Sequence, residues 1–109
     1  MVKTGLKTRR VMVIEDAPTM LYFWQRFLQG IGITQCELLA NPSEAEKMLS
    51  ETNYHLLITD VALPTINGCE LAKKAKKIYP NLEVLLSTAR ISDLTRFNLE
   101  GCRFHILHK

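Results

Sequence analysis

A chain of 109 residues with 47% hydrophobic and 23% charged side chains has the composition of one soluble globular domain and is too short for two independent cores. Its net charge of +3 is too slight to mark a nucleic-acid binder, and no apolar run approaches the roughly 18 residues needed to cross a bilayer. Three widely spaced cysteines, Cys36, Cys69 and Cys102, argue against a disulfide framework and lack the clustering of a zinc site, in keeping with a reducing, cytoplasmic compartment.

Residues 1–9 read as a flexible basic tail with no signal-peptide apolar stretch behind it, leaving one domain over residues 10–109. Val11-Met12-Val13-Ile14 is the first short apolar run, of the kind that forms a buried parallel strand. Pro18 suits a first helical turn, and Met20, Leu21, Trp24, Phe27, Leu28 and Ile31 then recur at helical spacing until Gly30 and Gly32 end the helix. A weaker strand follows over residues 34–39. Asn41, Pro42 and Glu44 open a second helix whose inward side is Ala45, Met48 and Leu49. The run over residues 55–59 is a third strand. Asn67 and Glu70 open a third helix, which lines up Leu71, Ala75 and Ile78 before Tyr79-Pro80 breaks it. A fourth strand is predicted over residues 83–86, a short helix over 92–99 closed by Gly101, and a fifth strand over 103–107. The alternation predicts an α/β fold, one five-stranded parallel sheet doubly wound with helices on both faces, because each parallel crossover needs a bridging helix.

In open parallel sheets ligands bind beyond the carboxyl ends of the strands. The residues delivered there are Glu15-Asp16 after the first strand, Asp60 after the third, Ser87-Thr88 after the fourth and His108-Lys109 after the fifth. Carboxylates about 4 Å apart repel by about 4 kcal/mol per pair at an effective dielectric of 20, so a cation should accompany them. An oxygen-rich site of this kind suits Mg2+, and Lys109 would add a fixed positive charge. A carboxylate oxygen of Asp60 is then placed to attack phosphorus and form an acyl phosphate, with the Thr88 hydroxyl donating to the phosphoryl oxygens. Each residue also has a plain structural role: Asp16 as a helix cap, Thr88 as a strand end, Lys109 as a solvated cation. Their convergence on one rim outweighs those roles. Lys73, Lys74, Lys76 and Lys77 share a helix with an inward stripe and read as a solvated face, so no direct nucleic-acid binding is expected. A flavin-phosphate site is disfavoured by Glu15-Asp16-Ala17-Pro18, which puts two negative charges and a missing N–H where an anion needs donors.

These residues resemble the receiver domains of response regulators, the flavodoxin-like modules of two-component signalling. The likeness rests on Val11 to Asp16 for the acidic pair, on Asp60-Val61-Ala62-Leu63-Pro64-Thr65-Ile66-Asn67-Gly68 for the phosphoacceptor loop, on Leu86-Ser87-Thr88-Ala89, and on Lys109. It covers essentially everything after the basic tail. The resemblance implies a strand order 2-1-3-4-5, Mg2+ held by Asp16, Asp60 and the backbone carbonyl of Ala62, and Glu15 acting through metal-bound water. It implies Asp60 as phosphoacceptor for a histidine kinase or histidine phosphotransfer protein that docks largely on the first helix. There Tyr22 and Phe23, off the inward stripe, are either part of that surface or a wide core face. The alternative function is a receiver-shaped interaction module that is not phosphorylated.

Departures from the family pattern are also legible. The stretch from Thr88 to Gly101 is short, Ile106 replaces a common aromatic, and His108 competes with Lys109 for the lysine position. A fifth helix after a proline would follow Lys109 in the family. Without it, part of a sheet face beside the first and fifth strands is expected to be bare, to be covered by a second copy in a homodimer or by an absent output domain.

Overall fold

The computed structural model describes residues 9–63, 66–89 and 103–109. Its elements are β1 (Arg10–Ile14), α1 (Pro18–Gly30), β2 (Gln35–Leu39), α2 (Pro42–Glu51), β3 (Leu56–Asp60), α3 (Gly68–Ile78), β4 (Glu83–Thr88) and β5 (Phe104–His108). Residues 1–8 of the expected tail, Pro64 and Thr65 of the phosphoacceptor loop, and the predicted helix over 92–99 lie outside the described residues.

All four ladders are parallel and the strand order is β2-β1-β3-β4-β5, as the resemblance implied. The central strands bury both faces, and side-chain alternation divides them between two cores. Val11, Val13 and Ile58 face α1, where Trp24 and Leu28 cover them. Met12, Ile14, Leu57, Val84 and Leu86 face the other way, against Ala45 and Leu49 of α2 and Leu71, Ala72 and Ala75 of α3. Helices therefore lie on both faces, with α1 alone on one side among the described residues.

Local chemistry explains the helix ends. Asn41 and Asn67 cap α2 and α3, accepting from the N–H groups of Ser43 at 2.9 Å and Cys69 at 2.7 Å. Helix α1 has no side-chain cap; Ala17 takes that position and Pro18, with no N–H to satisfy, starts the helix. Asp16 is thus not the cap that the sequence allowed it to be. At the other end Gly32 adopts φ +96°, and its N–H returns to the Gln29 carbonyl at 3.1 Å.

The strand ends differ from the apolar runs in one consistent way. Strand β3 extends to Asp60 and β4 to Thr88, because Asp60 pairs with Ser87 and Thr88 pairs with His108 in the ladders. Polar residues there keep strand geometry and are buried by their neighbours. On the α1 face, Leu107 of β5 is exposed among the described residues, whereas Val11 and Val13 of β1 are fully covered beneath α1. No helix among the described residues is long and apolar enough to cross a membrane.

Leu57 sits at the centre of β3 with no exposed surface, so Leu57→Ala should lower the unfolding free energy by about 2–5 kcal/mol in urea titrations. The same truncation at exposed Leu107 should cost much less.

Candidate functional site

Every strand of a parallel sheet ends at the same edge, and here that edge gathers the charged groups. Glu15 continues the β1 ladder, its N–H bonded to the Leu39 carbonyl at 3.0 Å. Alternation then puts its side chain on the α1 face with Val13, the face also used by Asp60 after Ile58 and by Lys109 after Leu107. Glu15 is 1% exposed and Asp60 9%. Asp16, one residue on, is exposed.

Lys109 joins the buried carboxylates. Its Nζ donates to Glu15 Oε1 at 2.7 Å and to Asp60 Oδ2 at 3.2 Å, with only 21% of the side chain exposed. The residue is anchored through its backbone, its N–H donating to the Thr88 carbonyl at 2.8 Å. His108, the competing candidate, turns elsewhere: its Nε2 lies 3.0 Å from the Ala89 carbonyl.

Burial pushes the Glu15 carboxyl above its ordinary range; the bond from Lys109 opposes this, the Asp60 charge adds to it, and the Ala17 N–H, donating to Glu15 Oε2 at 3.3 Å, opposes it again. For Lys109 burial disfavours the charge, but the bond to Glu15 and the nearby Asp60 charge outweigh it and raise the pKa.

Around Asp60 the backbone is tightly arranged. The Ala62 N–H lies 3.4 Å from Asp60 Oδ1, the Val61 N–H donates to the Ser87 carbonyl at 3.0 Å, and the Thr59 hydroxyl donates to the Asp60 carbonyl at 3.0 Å. Gly68, the first residue of α3, packs directly on that carbonyl, so a Cβ there would collide with it and would come within 3.0 Å of the Thr59 hydroxyl. Gly68, a position of the phosphoacceptor-loop motif directly after the Asn67 cap, is thus held to glycine by its contact with the Asp60 backbone. Thr88 is buried at the end of β4, on the opposite face to Ser87 and Asp60 by alternation.

One carboxylate oxygen from each of Glu15, Asp16 and Asp60 lies within 4.8 Å of the others. Three hard oxygen donors at this separation, one of them exposed and not engaged as a helix cap, fit a small divalent cation such as Mg2+.

An open parallel sheet of order 2-1-3-4-5, with carboxylates and a lysine converging at its carboxyl edge, defines a receiver-type signalling domain. Residues 11–104 match the family described as the response regulator receiver domain, and the chain belongs to that family. It is 32% identical to the response regulator receiver protein CpdR of Brucella abortus over 82 residues, covering 73% of this chain and 66% of that protein. It is also 32% identical over 84 residues to the DNA-binding transcriptional regulator NtrC of Escherichia coli, covering 77% of this chain but only 18% of that longer protein. The response regulator TrrA of Thermotoga maritima, solved in complex with Mg(2+)-BeF, superposes with a TM-score of 0.82 at 24% identity, over 94% of this chain and 88% of that one.

Two outcomes test the site geometry. Gly68→Ala should destabilise the fold by about 1–3 kcal/mol through overpacking against Asp60, measured by thermal or urea unfolding. In chelator-treated buffer, Lys109→Met removes the bond that lowers the Glu15 pKa, so that pKa, already above 4.5, should rise further. A carboxyl with a raised folded pKa stabilises fully below its unfolded value and loses that stability as pH rises. The deficit of Lys109→Met against the wild type should therefore be small below pH 4.5 and grow as pH increases toward neutrality. A deficit independent of pH would contradict the coupling.

Proposed function

We propose that the chain accepts a phosphoryl group on Asp60 from a phosphohistidine donor, a histidine kinase or a histidine phosphotransfer protein, and acts as a phosphorylation switch. The observation that carries this reading is the placement of Asp60 at the carboxyl edge, with its Oδ2 held by Lys109 and two further carboxylates alongside. A carboxylate oxygen of Asp60 forms the new bond to phosphorus. The phosphorus–nitrogen bond of the donor breaks, and its electron pair returns to the imidazole ring.

Lys109 gives positive charge to the phosphoryl oxygens, and the Thr88 hydroxyl at the end of β4 donates to them. Glu15, Asp16, Asp60 and the Ala62 carbonyl are the residues that would hold Mg2+. When bound, that ion neutralises and orients phosphoryl oxygens. The modification adds roughly 1 to 2 negative charges at the rim. Thr88 then follows the phosphoryl group, which shifts the population toward a second conformation.

The donor's surface is inferred to include α1. Tyr22 is 61% and Phe23 49% exposed, so neither belongs to the core, while Trp24 and Leu28 cover the sheet behind them. Phe23 stacks on Phe27 with ring centroids 6.1 Å apart, and Arg26 lies over the Tyr22 ring. A helix that contains no acidic residue and exposes clustered aromatics suits the apolar side of a partner helix pair.

Incubation with Mg2+ and a small acyl-phosphate donor should give one phosphoryl adduct by intact mass, absent in Asp60→Asn. Adduct formation that survives this substitution, or no adduct in the wild type, would defeat the reading. Phe23→Ser should slow transfer from a phosphohistidine donor at least several-fold and leave the reaction with the small donor unchanged, because only the protein donor touches α1.

A further inference from the structure

The backbone at the acceptor runs past the end of one ladder. Strand β1 pairs with β3 only as far as Ile14 and Thr59, so Asp60 has no partner residue on β1 in that ladder. The Val61 N–H is directed to β4, where it donates to the Ser87 carbonyl at 3.0 Å. Successive residues of a strand direct their peptide groups to opposite neighbours, so the Asp60 carbonyl is directed toward β1, where the pairing has ended. An acceptor left there without a donor is an arrangement that native folds seldom retain. Thr59 supplies the donor: the residue has no exposed surface, and its hydroxyl donates to the Asp60 carbonyl at 3.0 Å.

The next carbonyl is engaged as well. The Val61 carbonyl accepts from the Gly68 N–H at 2.9 Å, and Gly68 packs so closely on the Asp60 carbonyl that a Cβ there would come within 3.0 Å of the Thr59 hydroxyl. Thr59, the Asp60 carbonyl and Gly68 thus meet in one contact beneath the start of α3. Alternation puts the Thr59 side chain on the face opposite the Asp60 carboxylate, so Thr59 acts on the site through the backbone. Of the three carbonyls from Asp60 to Ala62, the first two are held inward, and the Ala62 carbonyl accepts from no described residue. The Ala62 N–H approaches Asp60 Oδ1 at 3.4 Å, so the turn that sets Ala62 beside the carboxylate starts from the peptide that Thr59 holds.

We infer that Thr59 is a positioning residue for the cation site at Asp60: its hydroxyl and the Gly68 N–H hold the Asp60 and Val61 carbonyls inward, so that the Ala62 carbonyl is the backbone oxygen offered beside the carboxylates. Without the hydroxyl the Asp60 carbonyl turns toward another donor, and the Asp60 carboxylate and the Ala62 carbonyl lose their fixed relation. This inference rests on the reading above, in which the Ala62 carbonyl joins Glu15, Asp16 and Asp60 as a holder of Mg2+. It adds a residue that contacts none of those donor oxygens and sets their arrangement from the far face of the sheet.

The test compares wild type, Thr59→Val and Thr59→Ser by calorimetric titration with Mg2+ alone and by thermal unfolding in chelator-treated buffer. Thr59→Val keeps the shape and removes the donor, and it should bind Mg2+ roughly three- to tenfold more weakly, the worth of one hydrogen bond. Thr59→Ser keeps the hydroxyl and loses a buried methyl, so it should unfold at a lower temperature than the wild type yet bind Mg2+ with nearly the same affinity. A merely structural role would instead make affinity follow the loss of Tm in both variants. Unchanged affinity in Thr59→Val, or a Thr59→Ser protein as weak as Thr59→Val, overturns the inference while leaving the acceptor role of Asp60 intact. Should Thr59→Val not fold, Gly68→Ala displaces the same carbonyl and decides: weaker Mg2+ binding is expected, and undiminished binding overturns the inference. If the wild type binds no Mg2+, the inference falls; if it also forms no phosphoryl adduct, the phosphoacceptor reading falls with it.

Discussion

The ammonium of Lys109 is the interaction on which the site depends. It reaches from β5 to carboxylates carried by β1 and β3, crossing β4, and so ties the carboxyl ends of four adjacent strands into one charged unit. Without it the buried Glu15 carboxylate, 1% exposed, would cost several kcal/mol and would instead take up a proton. Because Glu15 Oε2 also receives the Ala17 N–H, the same carboxylate fixes the turn that leads into α1. That turn has no side-chain cap of its own. One cross-sheet ion pair thus sets the geometry of the acidic rim and the entry of the helix whose aromatic face lies exposed beside it.

The parallel topology makes this possible and limits it. All strands point the same way, so their ends meet at one edge, and period-two alternation decides which side chains meet there. Glu15, Asp60, Ser87 and Lys109 share the α1 face, while Asp16 and Thr88 fall outside that set. Adjacent acids in the sequence are therefore not equivalent: Glu15 is the buried partner of Lys109, and Asp16 is exposed to solvent. This division follows from strand geometry alone once β1 is in place.

Much of this was legible in the sequence because it depends on local pattern. Short apolar runs between helical stripes gave all five strands, and the Asn41 and Asn67 caps mark the starts of two helices to the residue. What the pattern hid was polar residues that remain in strands. Apolar periodicity ends the fourth strand at Leu86, yet Ser87 and Thr88 continue it, because ladder pairing with β3 and β5 satisfies their backbones whatever their side chains. Gly68 was legible as a motif position but its reason was not: the glycine is required not by a positive φ but by the approach of the Asp60 carbonyl, a contact that no local rule encodes. The exposure of Tyr22 and Phe23 was similarly undecidable, since an aromatic beside a helical stripe fits either a wide core or a docking face until the sheet is seen to be covered by Trp24 and Leu28.

The arrangement of charge also explains why a switch of this design needs a second cation. Two carboxylates lie against one ammonium with a third carboxylate close to both, and a phosphoryl group would add further negative charge to the same few ångströms. At about 4 kcal/mol per like-charged pair at close range, Lys109 alone cannot balance the modified state. The exposed Asp16 oxygen beside Asp60 and Glu15 would give a divalent ion a place to enter from solvent. Lys109 and a metal ion would then act on different sides of Asp60, the lysine across the sheet and the ion at the mouth.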